Sequence, residues 1–276
     1  MRFLKIHDFN GITGYQLGWS PAGPPMMTVY CFVLGNVMID TAQSHMRKEA
    51  LDIARNHRIS RVYLTHYHED HSGNAAAVRQ TLQAGVYGHT ETLVKMGARF
   101  SILPYQRYMW GKADSLEMDA VPDRIETVLG GMIPVHTPGH SKDHLVYFLE
   151  DQGVLFSGDL FLAEKIKYFR SDEDMGNQIG ALKKVLDLDF QTLLCSHHPK
   201  RWNGKNHIRS KLAFLEDLYG GIVRLRQKGM TERRIFNELG LKEDYFAKYF
   251  CFGNVSMMNG VRSAVRHYEN EKDKTG

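Results

Sequence analysis

Cysteine is scarce in this sequence. The three residues present, Cys31, Cys195 and Cys251, lie far apart, and no CxxC pair occurs. An odd count without paired spacing argues against a disulfide framework and predicts reduced, buried thiols. Long apolar runs are missing as well. The longest, Met26 to Leu34, is far too short to span a bilayer. The opening MRFLKIHDFNG has basic residues, but His7 and Asp8 interrupt it before an apolar export region can form. The expectation is therefore no export and a cytoplasmic location. No GxSxG elbow occurs, so no serine nucleophile announces itself. Internal repeats and low-complexity tracts are also lacking.

The 276 residues suit one large domain or a main domain with an appendage. Apolar residues make up 43% and charged residues 24%, ordinary values for a globular chain. The net charge of +4 is unevenly spread: residues 1–200 carry −2 and residues 201–276 carry +6. A basic C-terminal quarter attracts anions, nucleic acid included, although a solvated helical surface explains it more simply.

LKIHDFNGITGYQLG and TVYCFVLGNVMIDTA read as strands on either side of the loop SPAGPP. MRKEALDIARNH (46–57) places Ala50, Ile53 and Ala54 on one helical side. ISRVYLT (59–65) is β-branched and apolar, a strand that runs into a cluster of titratable residues. NAAAVRQTLQA (74–84) is a helix, and Gly85–Gly88 a short strand. This is an α/β alternation. ARFSILPYQRYMWGKAD mixes aromatics with Arg and Lys and fits a lid or pocket insertion as well as a packed surface helix. DHLVYFLEDQGVLFSGD is a hairpin around Glu150–Gly153. NQIGALKKVLDL (177–188) is an amphipathic helix, and QTLLCSHHP (191–199) is a last strand. After residue 205 strands stop and helices are expected to the end, with Thr231 as an N-cap and Gly240 closing the same helix.

The stretch THYHEDHSG crowds His66, His68, Glu69, Asp70 and His71 together. Strand side chains alternate, so His66 and His68 leave a strand end on one side and can grip one cation. Asp70 and His71 follow at the turn into a helix and face a neighbouring position. Imidazole and carboxylate are ligands for zinc and related divalent ions. Further ligand types close later apolar runs: His140 in TPGH, Asp159 in SGD and His197 in CSHH. In open sheets such ends share one edge, where sites are built.

These motifs resemble those of the metallo-β-lactamase-fold hydrolase superfamily over about residues 25–200, with Asp40 in MIDT as a fifth motif. The resemblance implies a four-layer αβ/βα sandwich over residues 1–204, with a helical C-terminal region, 205–276, that faintly resembles winged-helix units. It implies a first metal on His66, His68 and His140, and a second on Asp70, His71 and His197. Asp159 would bridge them, and Asp40 would orient a ligand by hydrogen bonds. His198 departs from the family's commonest form and lines the pocket if it does not bind. Two divalent ions, zinc first with iron or manganese as alternatives, would acidify a bridging water whose hydroxide attacks an electrophile. Asp70 would take and orient its proton.

The expected reaction is hydrolysis of an ester, thioester or lactone of a small metabolite. A phosphodiesterase or ribonuclease on the same metals is the alternative. An iron-dependent sulfur oxygenase needs one metal only, and Asp70, His71 and His197 argue against it. A non-catalytic binding module is a further alternative, which the intact ligand set argues against. Tyr105, Arg107, Tyr108, Trp110 and Lys112 could frame an acyl or anionic group, and Lys165, Lys167, Tyr168 and Arg170 could approach the cleft, though surface positions account for each. His136 is read as structural, His144 could support a ligand although a structural role is the simpler reading, and His7, His45, His57, His89, His207 and His267 lack ligand spacing.

Overall fold

The computed structural model describes residues 1–98 and 101–275; Arg99 and Phe100 of the expected insertion lie outside the described residues. The chain divides into two compact units. The first comprises Met1–His136, Asp143–Asp159 and Asp189–Gly204. The second comprises Thr137–Lys142, Leu160–Leu188 and the residues from Lys205 on.

The first unit holds two sheets. One has seven strands in chain order: β1 (Arg2–Phe9), β2 (Ile12–Trp19), β3 (Val29–Leu34), β4 (Val37–Ile39), β5 (Arg61–Tyr63), β6 (Gly85–Gly88) and β7 (Asp119–Ala120). Each of the two opening stretches expected as a single strand is in fact a hairpin. Asn10 and Gly11 both take positive φ, the backbone that a two-residue hairpin turn requires, and the turn pairs Phe9 with Ile12. Gly35 does the same between β3 and β4. From β4 to β7 the strands run parallel. The second sheet contains β8 (Ile125–Thr127), β9 (Gly130–His136), β10 (Leu145–Leu149), β11 (Val154–Gly158) and β13 (Thr192–Cys195), in the order β13-β11-β10-β9-β8. The expected hairpin is β10–β11, with Tyr147 opposite Phe156.

Aromatic and branched residues from both sheets fill one core. Phe32 meets Phe156 with ring centroids 5.4 Å apart, and Tyr63 meets Tyr147 at 6.0 Å. Each such buried side chain contributes about 1.5–3 kcal/mol relative to exposure. The other face of the seven-stranded sheet packs on α1 (Arg47–Asn56), α3 (Ala75–Leu82) and α4 (Thr90–Gly97). Helix α1 contributes Ile53 and Ala54 to that core, as its spacing predicts. Two shorter helices, α2 (Glu69–Ser72) and α5 (Pro104–Met109), complete the unit.

In the second unit lie α6 (Met175–Leu186), most of α7 (Gly204–Gln227), α8 (Glu232–Glu238), α9 (Tyr245–Phe250) and α10 (Met257–Thr275). Thr231 caps α8 by accepting from the Arg234 amide. Strands do not stop at residue 205, however. A two-residue strand, β14 (Val255–Ser256), pairs antiparallel with β12 (Phe169–Arg170). Two residues between helical segments are too few to leave a periodic signal. The architecture is an α/β sandwich with a C-terminal helical part.

Candidate metal centre

Neighbouring strands deliver the predicted residues to common ends. Parallel β4 and β5 finish together, so Asp40 follows Ile39 while Leu64, Thr65 and His66 follow Tyr63; the Asp40 amide bonds the Tyr63 carbonyl at 3.0 Å. Parallel β11 and β13 do likewise in the second sheet. A bulge between Phe156 and Gly158 pairs Gly158 with Cys195, just before Asp159 and His197. The motif glycine of SGD is structural: Gly158 has φ +48°, and a Cβ there would stand 2.7 Å from His144 Nε2.

Asp70, His71, Asp159 and His197 are buried, and one ligand atom from each lies within 4.8 Å of the others. Asp159 Oδ1 is 3.4 Å from His71 Nε2 and 3.5 Å from His197 Nε2, and Asp70 Oδ2 is 3.6 Å from both nitrogens. Both rings are held from behind. His71 Nδ1 donates to Asp40 Oδ2 at 2.7 Å, and His197 Nδ1 donates to the Thr28 carbonyl at 2.7 Å. In its neutral form each ring therefore turns a bare Nε2 towards the carboxylates, the tautomer a metal ligand needs. Buried His71 Nε2 makes no hydrogen bond among the described residues. A buried polar atom without a partner is costly, and a divalent cation among two carboxylates and two imidazoles would satisfy it.

The electrostatics agree with that chemistry. Burial opposes a charged His71, but the carboxylates of Asp70, Asp159 and Asp40 outweigh it and raise its pKa well above the ordinary value. Burial likewise opposes a charged His197, and Asp159 more than compensates. Burial would also raise Asp159, yet His71 and His197 hold it well below the usual carboxylate range. This cluster of anions demands positive charge, from protons or from a cation. The nearby Cys195 thiol is no nucleophile: burial pushes its pKa up to about 12. All three cysteines are free and buried, as expected.

His66 and His68 lie beside this group, with His66 Nε2 and His68 Nδ1 facing each other at 2.8 Å. Two ring nitrogens at that distance need a shared proton or a shared cation. Of the adjacent pair His197 and His198, the first joins the cluster and the second is exposed. Asp40, in a left-handed conformation at φ +57°, also accepts from the Thr65 amide and hydroxyl, each at 2.8 Å. His140 belongs to the second unit, where its Nδ1 donates to Glu173 Oε1 at 2.8 Å.

Two supporting residues, Glu173 and Asp143, escape the motif reading, whereas a supporting role for His144 is among its readings. Glu173 is buried, bonded by Gln178 at 3.1 Å, and its own carbonyl accepts from Ser263 at 2.8 Å and Arg266 at 3.1 Å. Asp143 accepts from the Tyr67 amide at 2.9 Å and from Thr92 at 2.7 Å, bracing the backbone between His66 and His68. His144 Nε2 accepts from the Asp159 amide at 3.1 Å. The only signal for these was proximity to a motif, as in HSKDH. Of the insertion residues, Tyr105 and Trp110 are buried while Arg107, Tyr108 and Lys112 are exposed. Lys165 and Lys167 are exposed, and Arg170 pairs with Asp172 at 3.0 Å.

The sequence profile described as the metallo-beta-lactamase superfamily matches residues 25–197. An atrochrysone carboxyl ACP thioesterase from Claviceps purpurea is 26% identical over 189 residues, 66% of this chain and 54% of that protein. A hydroxyacylglutathione hydrolase from Cereibacter sphaeroides is 30% identical over 145 residues, 52% of this chain and 50% of that protein. The chain thus spans about half the length of these curated relatives. A metallo-beta-lactamase family protein of known structure from Thermus thermophilus superimposes with a TM-score of 0.65 over 94% of both chains at 16% identity, a likeness of fold. Among the described residues, no helix is long and apolar enough to cross a membrane.

Proposed function

Because the chain belongs to the metallo-β-lactamase superfamily, we propose that it is a metal-dependent hydrolase that holds two divalent cations, zinc first, and cleaves an ester or thioester of a small metabolite. The observation that carries this reading is the buried quartet Asp70, His71, Asp159 and His197, with His71 Nε2 left without a hydrogen bond while Asp40 fixes its Nδ1 proton. In the proposed assignment Asp70, His71 and His197 hold one cation, His66, His68 and His140 hold the other, and Asp159 is shared. The catalytic part is assigned to residues 1–204, followed by a helical C-terminal region, 205–276.

Bound divalent cations supply Lewis acidity and an acidified water. The protein's own residues do the rest. Asp70 takes and orients the proton of the attacking water. Asp40 and the Thr28 carbonyl keep His71 and His197 in the tautomer that leaves Nε2 available. Burial of the quartet at 0–6% exposure keeps bulk water from screening these charges. The names of the two curated relatives, one a carboxyl ACP thioesterase and one a hydroxyacylglutathione hydrolase, favour thioesters among the candidate bonds.

The test is metal analysis of the purified protein together with a panel of chromogenic esters, thioesters, lactones and bis-phosphate esters. About two zinc or manganese per chain, with thioester or ester cleavage lost on chelation, is the expected result. About one iron per chain, or turnover of phosphodiesters alone, would overturn it.

A further inference from the structure

Outside the quartet, the first unit contains a small cavity open to solvent. One wall is the end of β2 and the loop after it, with Trp19, Ser20, Met26 and Met27, and the other is the end of α5, with Tyr108 and Trp110. Every residue lining it is uncharged. The walls are fastened together by a residue that sequence spacing gave no role. The ring of His45 stacks on Trp19 with centroids 4.1 Å apart, while its Nε2 donates to the carbonyls of Arg107 and Tyr108 at 3.2 and 3.1 Å. Ser44 adds a bond to the Trp110 carbonyl at 3.3 Å.

Each wall is linked to a residue that backs or adjoins the quartet. Met27 precedes Thr28, whose carbonyl holds His197. Gln106 on α5 donates to Glu69, the neighbour of Asp70, at 3.2 Å. Resting on the hydrolase reading above, we propose that this cavity receives the apolar acyl group of the substrate. Thioester leaving groups such as glutathione or a phosphopantetheine carry charges or many polar atoms. A wall of two tryptophans, two exposed methionines and a tyrosine desolvates such groups without pairing them. The same wall gains from each methylene it covers, and flexible methionines accept chains of varied shape.

Two of the three tryptophans line the cavity, whereas Trp202 stands 71% exposed. Tryptophan fluorescence therefore reports occupancy without turnover. Octanamide should give a saturable change that acetamide does not, and Met27→Glu should weaken it at least tenfold. Met27 is 39% exposed, so this substitution spares the fold. For p-nitrophenyl acetate, butyrate and octanoate, kcat/KM should rise with chain length, by at most about three- to fourfold for each methylene the wall covers. Trp19→Ala and Met27→Glu should flatten the series with metal content unchanged. A flat series in the unaltered protein, or ester cleavage with no octanamide response, overturns the acyl assignment and leaves the hydrolase reading standing. Octanamide binding without cleavage of any panel compound retains the cavity and removes the hydrolase reading.

Discussion

The quartet and the tryptophan cavity lie in the same unit yet are built on opposite principles. The quartet is dry and crowded with charge, and its histidines are backed by hydrogen bonds that fix their tautomer. The cavity is open and uncharged, and it is held by one stacked ring and a few bonds to backbone carbonyls. Small displacements in the first change charge–charge energies steeply, whereas the second tolerates rearrangement. Damage to the quartet should therefore appear as lost metal and lost turnover, and damage to the cavity as altered substrate preference.

The comparison would break most visibly at Asp159. Asp159→Ala should reduce bound metal, read by elemental analysis, and lower kcat by at least about a thousandfold, an oxyanion-scale loss; undiminished turnover would contradict the shared-ligand role. Asp40→Asn comes next. Asn tolerates the positive φ at this position, so the change removes charge rather than shape. Metal affinity should fall about 10- to 100-fold in a competitive chelator titration, as for other lost supports behind a ligand histidine. On the proposed two-cation assignment, Glu173→Gln should weaken one cation by roughly tenfold, visible as a second, looser phase in that titration. The smallest effect belongs to the cavity. His45→Ala should raise KM for an octanoyl ester about three- to tenfold with metal stoichiometry unchanged, the loss of one stacked, bonded ring. Metal loss in this last variant would show that the two regions are not separable.

The quartet was legible because the sequence writes its ligands as short motifs at strand ends. THYHEDH, SGD and CSHH need only strand alternation and a following turn to bring their side chains to one edge. The resemblance to the family motif favours His197 over its neighbour His198, and it is His197 that joins the quartet. The supports were mostly illegible. Thr28 acts through a carbonyl that any residue would present, and Glu173 reaches His140 across 33 positions. His45 lacks ligand spacing because its partners are a ring and two carbonyls. The opening hairpins were missed for a different reason. Apolar alternation continues through Asn10-Gly11, and the turn chemistry there was overridden by the period.

The short ladder between β12 and β14 has a temporal consequence. It joins residues 169–170 to 255–256, and the carbonyl of Glu173 is then gripped by Ser263 and Arg266. On a ribosome, the backing of His140 stays unlocked until nearly the whole chain has been synthesised, whereas Asp40, His71 and Asp159 can already meet well before that point. On the proposed assignment of His140 as a ligand, cofactor acquisition during translation would proceed in two stages, with the imidazole at 140 the last to be fixed.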